Sequence, residues 1–133
     1  MRVSLTKRLE FSASHVYAAS GASAAENERL FGDCVRHHGH NYLLEVTVSG
    51  EADRKTGMVV NVTDLKKAIQ DVVTELDHRN LNLDVPHFAK TNPTTENIAL
   101  FLWERLVARL GAVRLEKVIL HEDETLSAEV RHS

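Results

Sequence analysis

Two long stretches of this chain alternate with a period of two, and they limit the available folds more than any other feature. From Val3 to His15 one parity reads Val3, Leu5, Lys7, Leu9, Phe11, Ala13, His15, and the other Arg2, Ser4, Thr6, Arg8, Glu10, Ser12, Ser14. Successive side chains on extended backbone project to opposite faces, so this is a half-buried strand with Lys7 as its one imperfection. A second alternation runs from about His38 to Gly50. His38, His40, Tyr42, Leu44, Val46 and Val48 share one face; Asn41, Leu43, Glu45, Thr47 and Ser49 share the other. Between the strands, residues 16–37 read as irregular, with a small, polar tract Ala18–Asn27.

The period then changes. Leu65, Ala68, Ile69, Val72, Val73 and Leu76 fall at helical spacing and predict a helix over 63–77, with Asn61 or Thr63 as its cap and Asp64 at the positive end of its dipole. An Asn- and Asp-rich loop (Asn80–Asp84) and Pro86 follow. A second helix is expected to open near Asn92-Pro93-Thr94, with proline in its first turn. Its stripe is Ile98, Ala99, Leu102, Leu106 and Leu110, and Gly111 is its stop. Two further strands, about 113–122 and 126–131, are joined by Asp123-Glu124-Thr125. The order β-β-α-α-β-β predicts an α+β fold, an antiparallel sheet with two helices on one face. Its two open edges favour assembly of several copies into a closed barrel.

At 133 residues a single domain, 1–133, is expected. A formal net charge of −3 gives no electrostatic footprint for nucleic acid or an anionic membrane. No apolar run approaches the ~18 residues of a membrane span, and the N-terminus lacks the apolar core of a secretory signal. One cysteine, Cys34, excludes an intrachain disulfide and suits a reducing compartment, so the expected location is cytoplasmic.

The eight histidines are the compositional oddity. His38 and His40 are two apart on an extended segment, so they share a face ~6–7 Å apart, and Gly39 between them permits close backbone approach. His15 ends the apolar face of the first strand where His38 begins that of the second. Antiparallel pairing of the two strands gathers all three rings at one end of the sheet, and no charged residue on those faces explains them as an ion-pair cluster. Three neutral imidazoles without a thiolate ligand suit a catalytic zinc site with one open position, and other imidazole-loving metals share the chemistry. Cys34, four residues before His38, has two readings: a fourth ligand closing a structural site, or a thiolate base beside the cation. His37 has the wrong parity and reads as a surface residue. Asp77-His78 has the parts of a proton relay. Glu122 shares parity with Val118 and Leu120 and should point inward, where a ligand's N–H donors would pair with it.

These residues resemble a known family. Phe11-Ser12-Ala13-Ser14-His15, Cys34-x3-His38-Gly39-His40-Asn41-Tyr42, Gly57–Lys66, Leu76-Asp77-His78-Arg79-Asn80-Leu81, Pro93-Thr94-Thr95-Glu96-Asn97 and the segment ending near Glu122 are similar, in order, to the 6-pyruvoyl- and 6-carboxy-tetrahydropterin synthases. The resemblance implies the T-fold, a hexamer built as a dimer of trimers, and a pterin triphosphate substrate. It implies zinc on His15, His38 and His40, catalysis by Cys34 with Asp77 and His78 reaching in from a neighbouring subunit, and a pterin ring held by Glu122 with Thr94, Thr95 and Glu96. Two outcomes are implied from 7,8-dihydroneopterin triphosphate. One stops at 6-pyruvoyl-tetrahydropterin after triphosphate elimination. The other continues to 6-carboxy-tetrahydropterin, releases acetaldehyde and serves queuosine synthesis. The three-residue gap between Cys34 and His38 resembles the carboxy enzymes and favours that reading, although Met58–Lys66 and Asp77–Asn97 resemble the pyruvoyl enzymes. His121-Glu122-Asp123 departs from the usual Glu-Thr or Glu-Ser ending. The competing readings are a non-catalytic zinc-stabilised module with Cys34 as fourth ligand, and an aldolase or cyclohydrolase relative on the same scaffold.

Overall fold

The computed structural model describes residues 1–133. In chain order the elements are β1 (Val3–His15), α1 (Ala24–Phe31), β2 (His38–Gly50), α2 (Val62–Val73), β3 (Arg79–Asn80), α3 (Leu81–Asp84), α4 (Thr95–Leu110), β4 (Arg114–Asp123) and β5 (Leu126–Arg131), with 3-10 turns at Gly32–Val35 and Pro86–Ala89. β1 and β2 pair antiparallel in unbroken register from Val3↔Gly50 to His15↔His38. The alternation makes this register the stable one, because a slip by one residue would turn every apolar side chain to the wrong face. β4 pairs with β2 and β5 with β4, both antiparallel, so the sheet order is β3-β1-β2-β4-β5.

The apolar parity packs under α2 and α4. Tyr42, Leu44, Val46 and Val48 are fully buried with Leu65, Ile69, Ile98, Leu102, Leu106 and Leu120 in one cluster of 22 residues. The opposite face carries no helix and is laced by polar cross-strand pairs: Thr6 with Thr47 (2.8 Å), Arg8 Nε donating to Glu45 (2.8 Å) and Ser12 Oγ donating to Asn41 (2.6 Å).

Four local expectations change. The first long helix, α2, is capped by Asn61, one of the two candidates, but ends at Val73, not at 77. Beyond it the N–H groups of Leu76 and Asp77 both turn back to the Val73 carbonyl, and His78 takes a left-handed φ of 60°. Leu76 stays fully buried, which is why the apolar stripe outlasts the helical backbone. That turn lets Arg79–Asn80 join β1 as a short parallel strand, so the sheet is not wholly antiparallel. Pro93 precedes the cap of α4 instead of entering its first turn; the cap is Thr94, whose hydroxyl accepts from Asn97 N–H (3.1 Å). Finally, the 16–37 excursion is partly helical. α1, capped by Ser23, buries no residue, so no apolar periodicity announced it.

Candidate functional site

The β1–β2 register places Ala13 opposite His40 and His15 opposite His38, at the end of the sheet where the chain leaves for the 16–37 excursion. Ring centroids lie 4.6 Å apart for His15–His38, 5.0 Å for His38–His40 and 5.2 Å for His15–His40. One nitrogen from each lies within 4.8 Å of the other two. Gly39 makes this approach possible: a Cβ there would sit 3.1 Å from the Ala13 carbonyl oxygen and 3.5 Å from Ser14 Cβ.

Hydrogen bonds set the tautomers. His15 Nδ1 faces the Pro93 carbonyl at 2.8 Å and His38 Nδ1 faces the Arg36 carbonyl at 2.7 Å. A carbonyl only accepts, so each Nδ1 carries the proton and each Nε2 keeps its lone pair free, the arrangement that orients metal-binding imidazoles. His15 Nε2 and His40 Nε2 are buried without any hydrogen-bond partner. A buried polar atom left alone costs roughly 1–3 kcal/mol, and a cation shared by these nitrogens would satisfy them. The donor set therefore fits a metal ion.

Burial, followed by the neighbouring His38 and His40, lowers the His15 pKa from 6.5 to about 4. The ring is neutral at neutral pH, as a ligand must be. Above pH 6.5 both folded and unfolded chains hold this ring neutral and its contribution is complete. As the pH falls towards 4 the unfolded chain takes up a proton that the folded one refuses, and stability is lost. Urea titrations of metal-free protein at pH 7 and pH 4.5 will show wild type losing on the order of 2–3 kcal/mol more than His15→Gln, which lacks this titration.

Glu122, 9% exposed, approaches from β4: its Oε1 lies 3.4 Å from His40 Nε2 and 3.9 Å from His15 Nε2. The carboxylate points inward as its parity required. The first two strands offer the imidazoles no charged partner on their own faces, and strand pairing imports this one from β4. Tyr42, stacked on Phe11 at 5.0 Å, and Thr95 at the start of α4 supply the remaining buried hydroxyls without partners. Burial and then the Glu122 charge push the Tyr42 phenol far above its ordinary pKa, and the same two causes raise Tyr17 to about 12. Both stay protonated donors.

The other site residues are distributed less evenly. Cys34 is half-buried on the Gly32–Val35 turn, and its carbonyl accepts the Tyr17 N–H at 2.8 Å. Its thiol is not in the mutually close set formed by His15, His38 and His40. Asp77 and His78 form a pair, Nδ1 to Oδ1 2.9 Å, and Asp77 also accepts the Ser12 N–H at 3.0 Å. That pair sits at the β3 edge of β1. The exposed His78 ring shares a shallow polar depression with Ser12, Ser14 and Asn41 and makes no hydrogen bond to Cys34. Thr94 spends its hydroxyl on the cap, and Glu96 lies exposed in the first turn of α4, along the groove facing β5. His37 is exposed as expected, bonded to Ser14 and Asn80. Tyr17 and the Pro93 carbonyl escaped the sequence reading. Tyr17 could have been found by continuing the parity of Ala13 and His15 by one more step.

The family model described as 6-pyruvoyl tetrahydropterin synthase matches residues 4–133. This chain belongs to the 6-pyruvoyl tetrahydropterin synthase family. A 6-pyruvoyl tetrahydrobiopterin synthase of Drosophila melanogaster is 47% identical over 122 residues, covering 89% of this chain and 73% of the relative. The structure of Caenorhabditis elegans 6-pyruvoyl tetrahydropterin synthase superposes with a TM-score of 0.93 at 34% identity, covering 100% of this chain and 97% of the other. A dihydroneopterin monophosphate aldolase of Pyrococcus furiosus is 46% identical over 94 residues, 70% of this chain and 76% of that protein. Family membership makes the chain an enzyme of the lyase type, and the T-fold implied by the sequence motifs is the fold observed. No helix is long and apolar enough to cross a membrane.

Proposed function

We propose that this chain is a metal-dependent 6-pyruvoyl-tetrahydropterin synthase that eliminates triphosphate from 7,8-dihydroneopterin triphosphate by an internal redox rearrangement, and that its metal is zinc. The observation that carries the reading is the three-imidazole opening with Glu122 beside it, in a chain 47% identical to an enzyme of that name. The Cys34–His38 spacing favoured the 6-carboxy product, and the relatives weigh against it. Cys34 is tethered by its own carbonyl to Tyr17, so the residues between it and His38 need not fix where the turn lies.

The proposed roles follow from the side chains. His15, His38 and His40 would hold the ion through Nε2. A bound zinc supplies polarisation of a substrate side-chain oxygen, which acidifies the adjoining C–H. Glu122, a nearly buried carboxyl, would receive N–H donors from the pterin ring, and the Thr95 hydroxyl would add a further contact. Cys34 is the base that takes a proton from the side chain. Asp77 accepts from His78 Nδ1 and so fixes its tautomer, leaving Nε2 to accept or return a proton. Because His78 pairs with Asp77 and makes no hydrogen bond to Cys34 within one chain, the proposed working form is an oligomer, a hexamer of two trimers, in which the pair serves a neighbour's site. Thr94 and Glu96 would act through the start of α4 and not by direct contact with the ring.

The zinc-module reading needs Cys34 among the ligands, and the thiol lies outside the close set. Product analysis tests the proposal. Zinc-loaded protein given 7,8-dihydroneopterin triphosphate yields triphosphate and a pyruvoyl-pterin by mass spectrometry, with no acetaldehyde. Carboxy-pterin with acetaldehyde would return the chain to the 6-carboxy reading. Turnover of the monophosphate in preference to the triphosphate would make it an aldolase.

A further inference from the structure

The geometry points to Tyr17 as the positioning residue that holds the Cys34-bearing turn against the imidazole cluster. This inference rests on the role proposed above for Cys34. The segment that carries the thiol has little packing of its own: neither α1 nor the Gly32–Val35 turn buries a residue. Without apolar burial, such a segment opens at small cost unless specific contacts tie it down.

Those ties converge on the residues just beyond β1. Val16 N–H donates to Asn82 Oδ1 at 2.9 Å and Ala18 N–H to Asn92 Oδ1 at 3.1 Å, fixing the chain on both sides of Tyr17. On extended backbone the intervening N–H points the other way, and Tyr17 gives it to the Cys34 carbonyl at 2.8 Å. The Tyr17 ring stands edge-on to His15 at 5.2 Å on one side and edge-on to Phe31, the last residue of α1, at 5.8 Å on the other. It is 6.5 Å from His38. One aromatic ring thus bridges the imidazole cluster and the helix that leads into the thiol turn, and it packs beside the backbone bond that holds that turn. Edge-to-face contacts of this kind are favourable beyond the area they bury, and they decide the position of a segment with no buried residue.

The test compares zinc-loaded wild type with Tyr17→Phe, Tyr17→Ala and Tyr17→Leu. Cys34 is the sole cysteine, so iodoacetamide alkylation reports on it alone. Alkylation rates of all variants are read at one fixed pH, alongside hydrogen exchange over residues 24–35. Tyr17→Ala is expected to raise both rates about tenfold, with metal content retained and global unfolding little changed. Tyr17→Phe, which keeps the ring, is expected to stay at wild-type values. If Tyr17→Ala does not fold, Tyr17→Leu carries the same expectation, since it lacks the flat edge. Alkylation and exchange within about twofold of wild type in the folded ring-less variants would overturn the inference. Faster alkylation and exchange with unchanged turnover would uphold Tyr17 as the positioning residue and overturn the role given to Cys34.

Discussion

Replacing His38 or His40 with alanine is expected to strip the metal and stop turnover while leaving the chain folded. Both rings are partly exposed at the sheet's end and neither belongs to the 22-residue core. Their loss removes a lone pair from the cation but no packing from α2 or α4. Even the groups that merely orient such ligands are worth about 10–100-fold in affinity or activity, so deleting a ligand should cost more than about 100-fold. Metal content by mass spectrometry of the purified variants, with circular dichroism as the control for folding, checks this. A variant that keeps both its metal and its turnover would show that these imidazoles do not hold the catalytic ion. His15→Ala is a poorer test, because His15 is 0% exposed and its truncation opens a cavity beside Pro93 as well.

Cys34→Ala separates the two readings of the thiol with the second large effect. As proposed base, its removal should lower kcat by about 10²–10⁴, the range of general acid–base contributions. Metal stoichiometry should be unchanged, because the sulfur stands outside the group of ligand atoms. If the variant loses metal together with structure, Cys34 was a ligand and the site is a structural one. The Glu122 neighbourhood gives no such ambiguity. Its carboxylate lies 3.4 Å from His40 Nε2 and 3.9 Å from His15 Nε2 and makes no hydrogen bond within the chain, so it is left for a donor-bearing ligand.

What could be read from the sequence, and what could not, divides along identifiable physical lines. The two strands that carry the imidazoles were legible to the residue, because alternation is a local property and half-burial enforces it over a long span. Convergence of His15, His38 and His40 then followed from parity and antiparallel pairing alone. The end of α2 was misplaced because Leu76 keeps helical spacing while the backbone turns, and spacing records burial, not hydrogen bonds. α1 went unseen for the converse reason: a helix that buries nothing leaves no periodic trace.

Residues brought in from distant strands and loops were harder still. Glu122 could be given a direction but not a neighbour, since its distance to His40 depends on β4 pairing with β2 across most of the chain. That Pro93 sets the His15 tautomer, and that Asn82 and Asn92 fix the backbone around Tyr17, arises only when the loops after α2 fold over the end of β1. By itself the sequence determined the faces: which side chains share a surface, and which imidazoles can meet. Tertiary structure alone decided the partners: which carbonyl accepts from which ring nitrogen, where the thiol turn rests, and that His78 pairs with Asp77 and not with the thiol of its own chain. Periodicity is set by backbone geometry within a few residues, whereas partnership depends on how segments dozens of residues apart come to lie.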